Sequence, residues 1–264
     1  MTIFEAIILG IVQGIAEFLP ISSSGHLVVL QRVFGMEEPK LTFDIVLHLG
    51  TLLAIVVVFW GDIFALIKNP FSKMTGLLIV GTIPVVIAGF LFRDVIENYL
   101  RGGIWLAAAF TVTGFLLVTA DKFTKPTKGE KDITYMDALF VGCLQALALP
   151  PGISRSGTTL TGAFARGISR EAATKFSFML ALIAIAGAGT LEAFLLFTRE
   201  PAEAFAVGLA PTIIGFIVSA VVGYASIKLL LRLIKACKLR YFSYYVWALA
   251  ALILLDYLLI NWRF

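Results

Sequence analysis

Four side chains in this sequence have the types and settings that phosphoryl chemistry needs: Glu17, Ser23 and His26 near its beginning, and Arg155 past its middle. A carboxylate or imidazole can carry protons near neutral pH, a hydroxyl or imidazole can attack phosphorus, and a guanidinium can grip phosphate through two parallel hydrogen bonds. Arg155 lies in PGISRSGTT, Pro151 to Thr159, and the other three lie in EFLPISSSGH, Glu17 to His26. Both runs mix serine and glycine inside a strongly apolar chain, where polar groups are costly and mark function.

The two runs are related. A shift of 132 residues superposes Ala6 on Ala138, Gly10 on Gly142, Gln13 on Gln145, Ala16 on Ala148, Ile21 on Ile153, Ser22 on Ser154, Ser24 on Ser156 and Gly25 on Gly157. Eight identities in 20 positions indicate one duplicated unit. The chemistry falls where the copies differ, because Glu17 meets Leu149, Ser23 meets Arg155 and His26 meets Thr158. A site that uses all four groups must sit where the two copies come together.

Gly-containing turns that open helices present free N–H groups and the positive end of a dipole, which suits phosphate. Gln13, Ser22, Ser24, Gly25, Ser154, Ser156, Gly157, Thr158 and Thr159 are therefore the candidate phosphate-binding residues. Gln13 and Glu17 share one helical face with Gly10 and Gly14, which should point into a bundle rather than at lipid. His48 lies between Leu47 and Leu49 with no motif around it and reads as structural. Thr51, Thr111 and Thr113 are expected to bond back to their own helices, and Glu5 to be solvated near the first helix start.

The surroundings are a membrane. Of the 264 residues, 59% are hydrophobic and 14% charged, and the mean hydropathy is +0.96. Ten apolar segments can be marked: 3–19, 27–36, 43–60, 75–92 and 104–120, then 133–149, 158–165, 176–197, 205–231 and 242–260. They fall five and five about a polar linker, Asp121 to Asp132, giving a first repeat over 1–120 and a second over 133–264 within a single membrane domain. The second segment of each half is shorter than the ~20 residues a crossing needs. The expected fold is all-α and polytopic, with two re-entrant helical hairpins and six full transmembrane helices. Three spans per half would invert the second repeat relative to the first, an architecture used by many transporters.

The first segment has no basic flank and no cleavage site, so it does not read as a signal peptide. Cys143, inside an apolar helix, and Cys237, in a basic loop, are not expected to pair. A net charge of +4 with pI near 9.1 does not indicate nucleic acid, because the cations sit in short loops. Threading places 14 Lys and Arg on one face and 6 on the other, so the first face is expected to be cytoplasmic and both termini extracytoplasmic.

QGIAEFLPISSSGH and PGISRSGTT together resemble the two signature motifs of the bacterial undecaprenyl-diphosphatase family, the one tied to bacitracin resistance. The similarity runs over the whole chain, including both copies, the FSFML run from Phe176 to Leu180 and the basic penultimate loop. It implies an inner-membrane hydrolase that removes the terminal phosphate of undecaprenyl diphosphate and regenerates the lipid carrier for cell-wall precursors, with a divalent cation, Mg²⁺ or Ca²⁺. Carried over by position, Glu17, Ser23, His26 and Arg155 match the family's catalytic residues, and Gln13 matches a position that can be Glu. Polyprenyl diphosphate and membrane lipid are the implied partners, with no nucleic acid, and a homodimer is an admissible assembly.

On this reading Arg155 clamps the diphosphate and serine and backbone donors hold its oxygens. His26 is preferred as nucleophile, because a serine needs a neighbouring base and His26 is the nearest imidazole in sequence; Ser23 and water remain open. Glu17 orients His26 or helps a metal that is held mainly by substrate phosphates. The rival is a polyprenyl-phosphate flippase working by alternating access, which needs an anion site but no nucleophile.

Overall fold

Because lipid offers no hydrogen bonds, a chain this apolar must satisfy its backbone internally, and helices do so. The computed structural model describes residues 1–36, 41–100, 102–123, 126–199, 207–236 and 238–260. Lys40, Arg101, Lys125, Cys237 and Arg263 of the charge and cysteine readings, and the start of the segment at Phe205, lie outside the described residues.

Within them the fold is all-helical, with eleven α-helices: α1 Ile3–Ala16, α2 Ser23–Val33, α3 Leu41–Val58, α4 Trp60–Lys68, α5 Lys73–Tyr99, α6 Gly103–Ala120, α7 Tyr135–Ala146, α8 Arg155–Ala165, α9 Arg170–Arg199, α10 Leu209–Ala236 and α11 Arg240–Leu255. The only β pairing among the described residues is an isolated bridge between Lys128 and Ile168. Five helices, α5, α6, α9, α10 and α11, are long and apolar enough to cross a membrane, and α3 with α4 makes a sixth if taken as one span. That pair bends by 79°, a break that the single expected segment 43–60 did not contain. Helix α5 runs through Pro84 to Tyr99, beyond the expected end at Phe92; the backbone ladder continues after the hydropathy falls.

α1 and α7 are the first helices of the two halves, and each packs against a long helix of the other half. α1 lies against α3 and α10, and α7 against α5. These approaches depend on glycine: a Cβ on Gly14 would come 2.8 Å from Gly223 N, and one on Gly142 would come 2.3 Å from Gly81 O. The largest core spans both halves, with the Phe178 ring in contact with those of Phe18 and Phe59. A second gathers Leu106, Phe110 and Val246 beneath the tip of α2.

Polar rivets fasten the other end of the molecule. Asp137, fully buried in the first turn of α7, accepts from Lys128 Nζ at 2.7 Å, Arg166 Nε at 2.7 Å and Thr134. Burial pushes the Asp137 carboxyl up, but the bonds from Lys128, the Thr134 N–H and Arg166 outweigh it and hold it well below the usual carboxylate range. Asp121, at the end of α6, accepts from the N–H groups of Leu239 and Arg240 and so caps α11.

Candidate active site

Two short helices begin at the motif runs, and their N-termini meet. Ser22 caps α2 by accepting from Gly25 N, and Ser154 caps α8 by accepting from Gly157 N. Ser22 also accepts from Gly152 N at 3.1 Å, and Ser156 Oγ donates to Leu19 O at 3.2 Å, so each tip is bonded to the other. Gly25 makes the contact possible: a Cβ there would lie 2.6 Å from the Phe110 ring and 2.8 Å from Gly152. Among the described residues Ser22 is the one non-glycine with positive φ, at 71°. Such strain persists only when neighbours enforce it, and it concentrates at functional sites.

Glu17 is the C-cap of α1 and is 7% exposed. Its Oε1 accepts from Arg155 Nη2 at 2.5 Å, and its Oε2 accepts from Ser23 Oγ at 2.5 Å and from Gln13 Nε2 at 3.2 Å. His48 Nε2 lies 3.6 Å from the same Oε2. One carboxylate therefore joins the α1 face, the start of α2, the α3 imidazole and the second half's guanidinium. Two buried atoms here lack a protein partner, Arg155 Nη1 and Gln13 Oε1. The first is an N–H donor of the guanidinium that Glu17 leaves unused, and an anionic ligand can accept from it.

His26 sits three residues beyond Ser23, also buried. Its Nδ1 contacts the Ser22 carbonyl at 2.7 Å. A carbonyl only accepts, so Nδ1 carries a proton, and in the neutral imidazole Nε2 then keeps its lone pair. Tyr245 of α11 donates its hydroxyl to that Nε2 at 2.8 Å, with the two rings stacked 9° from parallel. Phe110 packs edge-on to the imidazole.

These contacts change part of the sequence reading. Glu17, Ser23 and Arg155 come together as expected, but Glu17 makes no hydrogen bond to His26, which the Ser22 carbonyl orients instead. The acceptor beside Ser23 is Glu17, not His26. Thr113 does not bond to its own helix: it donates to Gly152 O at 2.8 Å and accepts from Ser154 N at 3.0 Å, bracing the second tip. Thr51 and Thr111 do back-bond, to His48 O and Ala107 O. Glu5 forms a capping box with Thr2. His48, read as structural, faces Glu17.

The candidate phosphate donors are mostly engaged within the protein. Thr158 and Thr159 both donate to Arg155 O, Thr159 also meets Ser177 Oγ at 2.6 Å, and Ser154 Oγ lies 3.2 Å from Ser156 Oγ. Ser24 contacts Ser22 at 3.4 Å and stays partly exposed. These groups shape the tips. A resident metal does not fit the donor set: Glu17 is ringed by hydrogen-bond donors and a guanidinium, and the described residues hold no cluster of three His, Cys, Asp or Glu side chains.

Comparison with known proteins finds relatives along nearly the whole chain. The chain is 44% identical over 254 residues to the undecaprenyl-diphosphatase of Carboxydothermus hydrogenoformans, covering 96% of this chain and 97% of that protein. It is 44% identical over 255 residues to undecaprenyl-diphosphatase 3 of Bacillus cereus, covering 97% of each. With the undecaprenyl-diphosphatase of Alkaliphilus metalliredigens it shares 40% identity over 283 residues, covering 98% of this chain and 100% of that protein. The model of the bacitracin resistance protein BacA family matches residues 6–252, and the chain belongs to that family.

Proposed function

We propose that this chain removes the terminal phosphate of undecaprenyl diphosphate within the membrane, yielding undecaprenyl phosphate and phosphate. It thereby recycles the carrier for cell-wall synthesis and confers bacitracin resistance. The observation that carries the mechanism is the Glu17 carboxylate, with the Ser23 hydroxyl on one oxygen and the Arg155 guanidinium on the other. A hydroxyl donating to a fixed carboxylate is a nucleophile with its base.

In the first step Ser23 Oγ attacks the terminal phosphorus as its proton passes to Glu17 Oε2, and the bond from phosphorus to the bridging oxygen breaks. The leaving group is a phosphate, a weakly basic oxygen that needs its charge stabilised more than it needs a proton; Arg155 supplies that charge, with Nη1 available to the substrate. In the second step water attacks phosphoserine. Its proton goes to the His26 Nε2 lone pair, and Glu17 returns the first proton to the departing Ser23 oxygen. Placing His26 in the second step uses its fixed tautomer and leaves Ser23 with the base it touches. Mg²⁺ or Ca²⁺, implied by the family resemblance, belongs on this reading to the substrate's phosphates, and no step runs through a protein-held ion.

For the fold, our reading keeps two inverted repeats with a re-entrant hairpin in each. It is supported by the short lengths of α1, α2, α7 and α8, by the bonded tips, and by the matched packing of α1 on α10 and α7 on α5. The cation bias supports an inner-membrane protein with both termini extracytoplasmic and the tips reached from the outer side. Against a flippase stands the Ser23–Glu17 pair, which transport does not require. The deciding assay is phosphate release from undecaprenyl diphosphate by the purified chain in detergent. Our reading predicts multiple turnovers that Ser23→Ala abolishes; binding of the diphosphate without phosphate release would favour the flippase.

A further inference from the structure

We propose that Tyr245 occupies the seat of the hydrolytic water and gates its access to His26. The Ser22 carbonyl fixes the His26 proton on Nδ1, so the imidazole has one basic atom, Nε2. That atom is occupied: the Tyr245 hydroxyl donates to it at 2.8 Å. An attacking water activated by the same atom would stand at the same distance and donate in the same sense. The phenol oxygen is therefore placed as that water must be, and the two cannot be there together.

The surroundings make Tyr245 the movable member. His26 is 7% exposed and is clamped by its own helix turn and by Phe110, whereas Tyr245 is 48% exposed on α11, a separate span. The stacked phenol covers the imidazole, so water reaches Nε2 only when the hydroxyl withdraws. Tyr245 is thus a positioning residue: it keeps water off His26 Nε2 at rest, and it yields to water once the serine has been phosphorylated. The geometry of the cap stands on the structure alone, while the step it gates rests on the function proposed above.

Tyr245→Phe keeps the ring and its packing and removes only the hydroxyl. The chain has two histidines, so carbethoxylation by diethyl pyrocarbonate can be followed at each by mass spectrometry, with His48 as an internal reference. In the substrate-free protein, losing the cap should speed labelling of His26 by about fivefold, the worth of one net hydrogen bond, and leave His48 unchanged. After rapid mixing with undecaprenyl diphosphate, the phosphoserine of the Phe variant should decay faster by a similar factor. Unchanged His26 labelling would overturn the cap, and slower phosphoserine decay would show that the hydroxyl aids the water rather than excluding it. If the otherwise unaltered protein forms no phosphoserine, the Ser23 mechanism and with it the gate fail, whereas the labelling still decides whether the cap exists.

Discussion

The two helix tips share a scaffold and divide the chemistry. Ser22 and Ser154 cap α2 and α8 in the same way, and Ser24 and Ser156 each lie beside the capping serine two residues before. These are the positions that match under the 132-residue shift. At the positions that do not match, the first tip carries Glu17, Ser23 and His26, and the second carries Leu149, Arg155 and Thr158. The tips differ in strain as well: Ser22 sits at φ 71°, while Ser154 has an ordinary φ of −74°. The tip that holds the proposed nucleophile and base bears the unfavourable backbone, and the tip that contributes Arg155 is relaxed. Matched residues take part in the contact between halves, and in the mechanism we propose the mismatched residues react across it.

If that division is right, substitutions at mismatched positions should abolish turnover without unfolding the protein. Glu17→Gln removes the base for Ser23 while keeping its size. Loss of a positioned general base costs ~10²–10⁴-fold, and we expect turnover at the severe end of that range because Glu17 also holds Arg155. Near-normal turnover in Glu17→Gln would end its role as base.

Arg155→Lys keeps the charge and loses the planar fork, so Glu17 and the substrate cannot both be gripped by parallel bonds. Turnover should fall by about 10²-fold with a normal melting temperature, since the lost interaction acts on developing charge. A variant with full activity would show that a point charge suffices.

Asp137 provides the contrasting case, a buried carboxylate remote from the tips that fastens the linker to α7 and α8. Asp137→Asn should lower stability by about 3 kcal/mol, the low end for breaking a buried pair, because Lys128 and Arg166 keep some exposure. Activity per folded molecule should be retained. Its folded carboxyl is depressed, so its contribution is complete above the ordinary unfolded value of about 3.9 and is lost as pH falls towards the folded one. Thermal unfolding between pH 7 and 5 should therefore show no loss from this group; a decline there that Asp137→Asn removes would contradict the assignment.

The sequence carried the tips, Arg155 and the ten apolar segments because each leaves a local mark, a polar motif in apolar surroundings or a run of hydropathy. His48 against Glu17, Thr113 against Gly152 and Tyr245 against His26 left none. They join positions 31, 39 and 219 residues apart through helix packing, and each lies in an apolar helix where a single polar residue reads as background. The pairing of Ser23 with Glu17 was missed for a related reason. Sequence distance favoured His26, three residues away in the same helix, but the turn between α1 and α2 brings the carboxylate back onto the hydroxyl. The bend after α3 was hidden because Gly61 and Asp62 end the apolar run at Trp60, whereas the chain turns there and continues as α4 to Lys68.

The central claim is that Ser23, not His26, takes the phosphate, with His26 serving the second step. Rapid acid quenching of the enzyme with labelled undecaprenyl diphosphate tests it directly, in the unaltered protein and in His26→Ala. Our account predicts an acid-stable phosphoester on Ser23 that accumulates in His26→Ala, because its hydrolysis has lost its base. An acid-labile, base-stable phosphoramidate that disappears in His26→Ala would contradict it.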